Sequence, residues 1–239
     1  MTDLPMTGGP TTHGPARPHE PAWRRATEPE ARTPVSIAIL LAIGLQVVVP
    51  KRLGMEPAVR GALAGLEVAL LVGIIAANPM RMGRRSLWLR RASIALTGAI
   101  SLGNAVAAAR LIDELVQGRF GQTAGPLLAS GAAVWATNVL CFALWYWELD
   151  RGGAIARARG GACYPDLLFP QMTSPEMAPP DWEPTFIDYL FTSFTNATAF
   201  SPTDVLPLTA WAKLTFMLQS AVSLSTVGLV IARAVNILG

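Results

Sequence analysis

Charge is scarce in this 239-residue chain: Asp, Glu, Lys and Arg make up 15% of it, against about 25% in a typical soluble domain. Mean hydropathy is correspondingly positive, at +0.39. Histidine is scarcer still, with only His13 and His19, both in a polar stretch near the start. That removes Ser-His and Cys-His nucleophile arrangements from an apolar core. Of the two cysteines, Cys141 falls in an apolar run and Cys163 in a loop, a pattern of neither a disulfide framework nor a metal site. No glycine-rich phosphate loop occurs. The acids leave one conceivable catalytic pair, Asp188 with Asp204 on separate elements. The expectation is a protein that is not an enzyme and holds no cofactor or metal. The formal charge of +3 and pI near 9.2 do not argue for nucleic acid, because the arginines lie beside apolar runs rather than on a stripe interleaved with aromatics.

What the chain has in abundance is long apolar runs. Residues 1–33 stand apart as a proline-rich tail with few large apolar side chains, expected to be disordered. No cleaved secretory signal is expected, since the first apolar run begins only at Val35. A hydrocarbon core of about 30 Å needs about 20 helical residues. By that ruler 34–149 is a four-helix membrane region, with runs at Val35–Val49, Gly61–Ala77, Ala92–Ala109 and Thr123–Trp147. Trp145, Tyr146 and Trp147 read as an interfacial aromatic belt. Residues 150–184 form a polar, proline-rich loop, with Pro165, Pro170, Pro175, Pro179 and Pro180 among its prolines. The region 185–239 then holds a short run to Phe200, a break at Ser201–Pro207 and a last helix to about Leu238.

The short run, Phe186–Phe200, would reach only about 22 Å as a helix, so it reads as a half-helix dipping into the membrane. The fold expected is therefore all-α and polytopic, with five transmembrane helices and one membrane-dipping helix, six spans being the alternative. Arg81, Arg84, Arg85, Arg90 and Arg91 between the second and third runs mark that loop as cytoplasmic under the positive-inside rule, and put the tail on the same side. The loop after Trp147 is cytoplasmic by the same count.

The C-terminal third resembles a family of small bacterial inner-membrane proteins of unknown function. The likeness rests on Leu168-Phe169-Pro170, Asp188-Tyr189-Leu190-Phe191, Ser193-Phe194-Thr195, Thr203-Asp204-Val205 and Ala234-Val235-Asn236. The order of helix, loop, half-helix, break and last helix also resembles the two-helix pore module of potassium channels. That second likeness implies an inner-membrane, multi-pass, channel-like protein, assembling as a homo-oligomer in the lipid bilayer, with monovalent cations as candidate cargo. The sequence departs from it at the filter, where Thr195 is followed by Asn196, Ala197, Thr198, Ala199, Phe200 and Ser201 without a glycine. Glycines are what turn successive carbonyls toward an ion, so potassium selectivity does not carry over.

Candidate residues for an ion pathway are Thr195, Asn196, Thr198, Ser201, Thr203 and Asp204 at the break, with Gln219, Ser223 and Thr226 on the last helix. At 100° per residue Thr215, Gln219, Ser223, Thr226 and Arg233 share one narrow arc. Such a seam either glues helices together or lines a pore. Asp204 is either an intramembrane functional acid or a cap for the following helix. Glu67 is an acid inside the second run and needs a partner, for which Arg110 or Asn104 on the third run has the right depth. Two functions are thus carried forward: passive ion passage, and a non-conducting membrane protein that binds a partner or lipid. A transporter using Glu67 is the weaker third.

Overall fold

The computed structural model describes residues 21–28, 30–48, 56–77, 87–119, 123–160, 164–198 and 204–238. Arg81, Arg84, Arg85, Cys163, Ser201 and Thr203, to which the sequence assigns roles, lie outside the described residues.

The described chain is mostly helical. Its helices are α1 (Thr33–Val48), α2 (Pro57–Ala77), α3 (Leu87–Val116), α4 (Ala124–Leu149), the single turns α5 (Ala154–Arg157) and α6 (Pro170–Thr173), α7 (Phe186–Thr198) and α8 (Ala210–Leu238). Three of them, α3, α4 and α8, are long and apolar enough to cross a membrane. The apolar parts of α1 and α2, Thr33–Gln46 and Gly61–Ala76, are shorter. Five crossings are expected from the sequence, and by length and composition three of the described helices meet the requirement.

Helix α4 is the axis of the fold. It packs against α1, α3, α7 and α8, and 61% of its apolar window is buried, against 33% for α3 and 22% for α8. The contact with α8 is close at Gly131, where a Cβ would come within 2.8 Å of a Val230 methyl. The α4 helix stops where three residues in succession, Arg151, Gly152 and Gly153, take φ of 52°, 81° and 91°. Glycine adopts that region freely, and the resulting reversal turns the chain back over the end of the bundle.

There, the described residues of 150–184 form a folded cap rather than a featureless loop. It holds α5, α6 and a two-residue strand β1 (Leu167–Leu168), which pairs antiparallel with β2 (Leu206–Pro207) in the register Leu167 with Pro207 and Leu168 with Leu206. The pairing has a topological consequence. Helix α7 leaves the cap, runs beside α4 and α8, and the chain is back at the cap by β2. Both ends of the 186–207 segment therefore sit at the same end of the bundle.

The disorder expected for residues 1–33 does not hold for 21–28 and 30–33, which pack on the cap. Trp23 is buried, with the guanidinium of Arg151 5.4 Å from its ring centre. Ala26 bridges to Arg159, and the Thr27 hydroxyl donates to Glu183 at 2.7 Å. The Glu30 carboxylate accepts from Trp147 Nε1 at 2.8 Å and from the Phe186 backbone N–H at 2.6 Å. Composition counts only the apolar groups a segment brings itself, whereas this one is ordered by donors on its partners. The aromatic belt reading is corrected likewise: Tyr146 and Trp147 are buried, and Trp145 Nε1 donates inward to Ser101 at 2.9 Å.

Burial pushes the Glu30 carboxyl above its ordinary value, with the bonds from Trp147 and Phe186 opposing the shift. The folded state thus holds this proton more tightly than the unfolded chain, so the contribution to stability is greatest in acid and falls as pH rises through the raised value. Glu30→Ala removes the acceptor for two buried donors, each worth about 1–3 kcal/mol when left unmade. A lowered thermal unfolding midpoint in detergent is the expected result, and an unchanged midpoint would show that the Glu30 contacts contribute nothing.

Candidate functional site

Among the described residues, two polar clusters are buried in otherwise apolar surroundings. The first lies where α4, α7 and α8 meet, centred on Gln219, which is 0% exposed. Its Oε1 accepts from Tyr146 at 2.7 Å and from Asn196 Nδ2 at 2.8 Å. Its Nε2 donates to Ser193 Oγ at 2.7 Å and to the Ser193 carbonyl at 2.9 Å. An amide side chain has two acceptor and two donor positions, and all four are filled. The surrounding groups are satisfied in turn. Ser193 donates to the Val139 carbonyl at 2.7 Å, Asn196 donates also to the Phe216 carbonyl at 3.1 Å, and Ser220 donates to Asn196 Oδ1 at 3.1 Å. Deeper along α8, Ser223 donates to the Ala197 carbonyl near the end of α7, while the Thr226 hydroxyl is buried without a hydrogen-bond partner among the described residues.

The second cluster is the cap. Asp150, also fully buried, accepts from the backbone N–H of Asp166 at 3.0 Å and of Leu167 at 3.2 Å, and from the Tyr189 hydroxyl at 2.7 Å. Asp166 answers by accepting from the Arg151 N–H at 2.8 Å and from Trp211 Nε1 at 3.0 Å. Arg157 donates to the carbonyls of Trp147 and Asp150 at 2.7 and 3.0 Å, and its guanidinium lies 4.9 Å from the Tyr189 ring centre. Carboxylates and guanidinium together tie α4, β1, α7 and α8 at one end.

The described residues among those singled out for an ion pathway fall in separate places. Gln219, Ser223 and Thr226 are all buried on α8 within the single chain. Asn196 joins Gln219, but Thr195 and Thr198 bond back to carbonyls of their own helix, at Phe191, Thr192 and Thr195. Asp204 is exposed beside β2 at the cap and is separated from the start of α8 by that strand, so it does not cap α8. Asp188 accepts from the Thr185 N–H and hydroxyl at 2.8 and 2.9 Å, a capping arrangement for α7.

Glu67 is 1% exposed, and the partner it takes is neither Arg110 nor Asn104. Gln46 on α1 donates to it at 3.5 Å, and the same Gln46 side chain fills the space beside Gly103 of α3. Matching depth along neighbouring helices left α1 out of consideration, although the α1 run is also within reach.

The cap is the feature that sequence reasoning missed. Its one signal was the crowding of Glu148, Asp150, Arg151, Gly152 and Gly153 directly after an aromatic helix end.

No family model matches this chain, and neither a curated protein nor a solved structure matches it.

Helix-to-helix hydrogen bonds inside membrane proteins average about 0.6 kcal/mol, with values to about 1.7. Tyr146→Phe should accordingly cost an amount in that range, and Gln219→Leu clearly more, because it strands donors and acceptors on three residues at once. A double-mutant cycle between Tyr146 and Gln219 should give a nonzero coupling; one between Glu67 and Arg110 should give none.

Proposed function

We propose that this chain is a multi-pass inner-membrane protein of the non-conducting kind, which binds lipid or a partner and uses its polar seam to hold the bundle together. The observation that carries this reading is the saturation of Gln219. A pore-lining amide must keep donors or acceptors for water or ions, whereas every hydrogen-bonding position of Gln219 is used within one chain. In this reading α1 to α4 and α8 cross the bilayer, and α7 dips in from the cap side and returns without crossing. Its support is the β1–β2 pairing, with the polar content and 13-residue length of α7.

The cap is assigned to the cytoplasm. Arg90, Arg91, Arg151, Arg157 and Arg159 belong to elements meeting at that end: Arg90 of α3 lies 3.9 Å from Glu148 of α4, and Arg32 just ahead of α1 donates to the Ile74 carbonyl of α2 at 2.7 Å. Positive charge gathered at one end favours that end inside.

Passive ion passage is the second reading, favoured by the chain path alone, since a half-helix followed by a return to its own side is the layout of a channel pore module. Two experiments test the chain path and then the conduction that separates the readings. In a background lacking Cys141 and Cys163, single cysteines at Met177, Leu206 and Gln117 are labelled with an impermeant thiol reagent before and after permeabilising cells. Met177 and Leu206 should report one side and Gln117 the other; labelling of Leu206 together with Gln117 would mean a sixth crossing. In proteoliposomes, potassium and sodium flux should match protein-free vesicles, and a flux that rises with protein content would overturn the non-conducting reading.

A further inference from the structure

Where α1, α3 and the end of α4 meet the cap, a cleft remains that neither polar cluster fills. Arg32, Arg90, Ser93 and Glu148 supply its polar wall, with Leu89 and Ile155 on the apolar side. Glu148 is nearly buried, its side chain 8% exposed. Its Oε2 accepts from Ser93 at 3.0 Å. Among the described residues, its Oε1 meets the Nε of Arg90 at 3.9 Å, which is an ion pair beyond hydrogen-bond reach. Among the described residues no hydrogen bond fills that oxygen, which leaves it room for a donor. Arg90, half exposed at 45%, meets Glu148 through Nε alone, so its two terminal nitrogens are open to an oxygen anion in the bidentate manner that guanidinium favours. One cleft thus offers an open donor fork and an open carboxylate oxygen side by side.

The depth of the cleft is marked by its neighbours. Trp88 is 76% exposed, Arg91 lies over its ring at 5.5 Å, and Ala92–Ala109 then run without a charge. An exposed tryptophan and arginines just before an uncharged helical stretch are the signature of the headgroup layer.

We propose that this cleft binds the headgroup of an aminophospholipid, with the phosphate on Arg90 and the primary ammonium on Glu148 Oε1. The inference rests on the membrane reading above and adds the lipid class. The chemistry discriminates among headgroups. A glycerol headgroup brings the phosphate but no cation for Glu148. A choline headgroup brings a cation that has no N–H to donate. Phosphatidylethanolamine supplies both parts.

The test uses the full chain, first in native membranes and then in nanodiscs of phosphatidylcholine alone or with phosphatidylethanolamine or phosphatidylglycerol added. Retained lipid is read by native mass spectrometry and stability by thermal unfolding. The expected result is at least about five-fold more ethanolamine than glycerol lipid retained, the discrimination of about 1 kcal/mol that one charge-assisted contact supplies, and a higher unfolding midpoint in the ethanolamine discs. Glu148→Gln should abolish that preference, and Arg90→Ala, its folding checked by thermal unfolding in phosphatidylcholine discs, should lose retention of both lipids. Equal retention of the two lipids by the unaltered chain, or a preference that survives in Arg90→Ala, would overturn the proposal. Soluble phosphoethanolamine and inorganic phosphate form the control arm; a stabilisation by either that equals that of the lipid would show a free metabolite site and reject a lipid one. Release of the chain from membranes by alkaline carbonate would sink the membrane reading itself, an outcome distinct from a chain that stays in the pellet yet shows no lipid preference.

Discussion

A carboxylate with no solvent exposure persists only if its lone pairs are taken up by donors, because an ion stranded in a dry interior costs several kcal/mol even after relaxation. Asp150 meets that requirement with two backbone N–H groups and the Tyr189 hydroxyl. The donors serve two parts of the fold. The amides of Asp166 and Leu167 fix the first strand, and Tyr189 fixes the first turn of α7. Asp166, held in this way, in turn anchors Trp211 at the start of α8 through its carboxylate, and its backbone carbonyl accepts the Leu208 N–H at 2.8 Å. The direction in which α7 and α8 leave the cap follows from a single buried acid at the end of α4.

The Gln219 cluster depends on that alignment. Helix α7 reaches Gln219 with Ser193 and Asn196, one and two turns below Tyr189, so the depth set by the Tyr189–Asp150 bond decides which α7 residues face α8. A fully satisfied polar network in an apolar core adds little net energy but admits few alternative packings, since any slip strands several groups together. The two clusters thus divide the work. The cap fixes where the helices start, and the Gln219 network fixes how they sit against one another. Apolar side chains such as Leu214, Met217, Leu224 and Ile231 lie on the opposite, outer side of α8, all exposed in the single chain.

Much of this was legible in the sequence where periodicity carried it. The 100° arc of Thr215, Gln219, Ser223 and Thr226 marks the face of α8 that turns inward, and the shortness of the α7 run sets it apart from the helices long and apolar enough to cross a membrane. What was not legible is what depends on contacts between distant segments. Glu30 and Trp23 look like solvated tail residues because their partners lie more than a hundred residues away. Trp147 looks like an interfacial residue because an amphipathic ring reads the same at a headgroup as beside a buried carboxylate. Charge crowding after α4 reads as a hydrophilic loop, since nothing local distinguishes a solvated Asp150 from one wrapped in amides. Depth along a helix suggested a partner for Glu67 but could not say which neighbouring helix would supply it.

The chain enters the bundle with α7 and returns to the same end, where β2 pairs with β1, and every other feature of the C-terminal third depends on that path. Leu168 and Leu206 are directly opposed in that pair, at a Cα separation of about 4.5–5.5 Å that a disulfide can bridge. With cysteines at these two positions and none at 141 or 163, mild oxidation in native membranes should close an intramolecular disulfide rapidly and nearly completely. A pair that stays reduced, while each cysteine still reacts singly with a thiol reagent, would contradict the return of the chain to the cap.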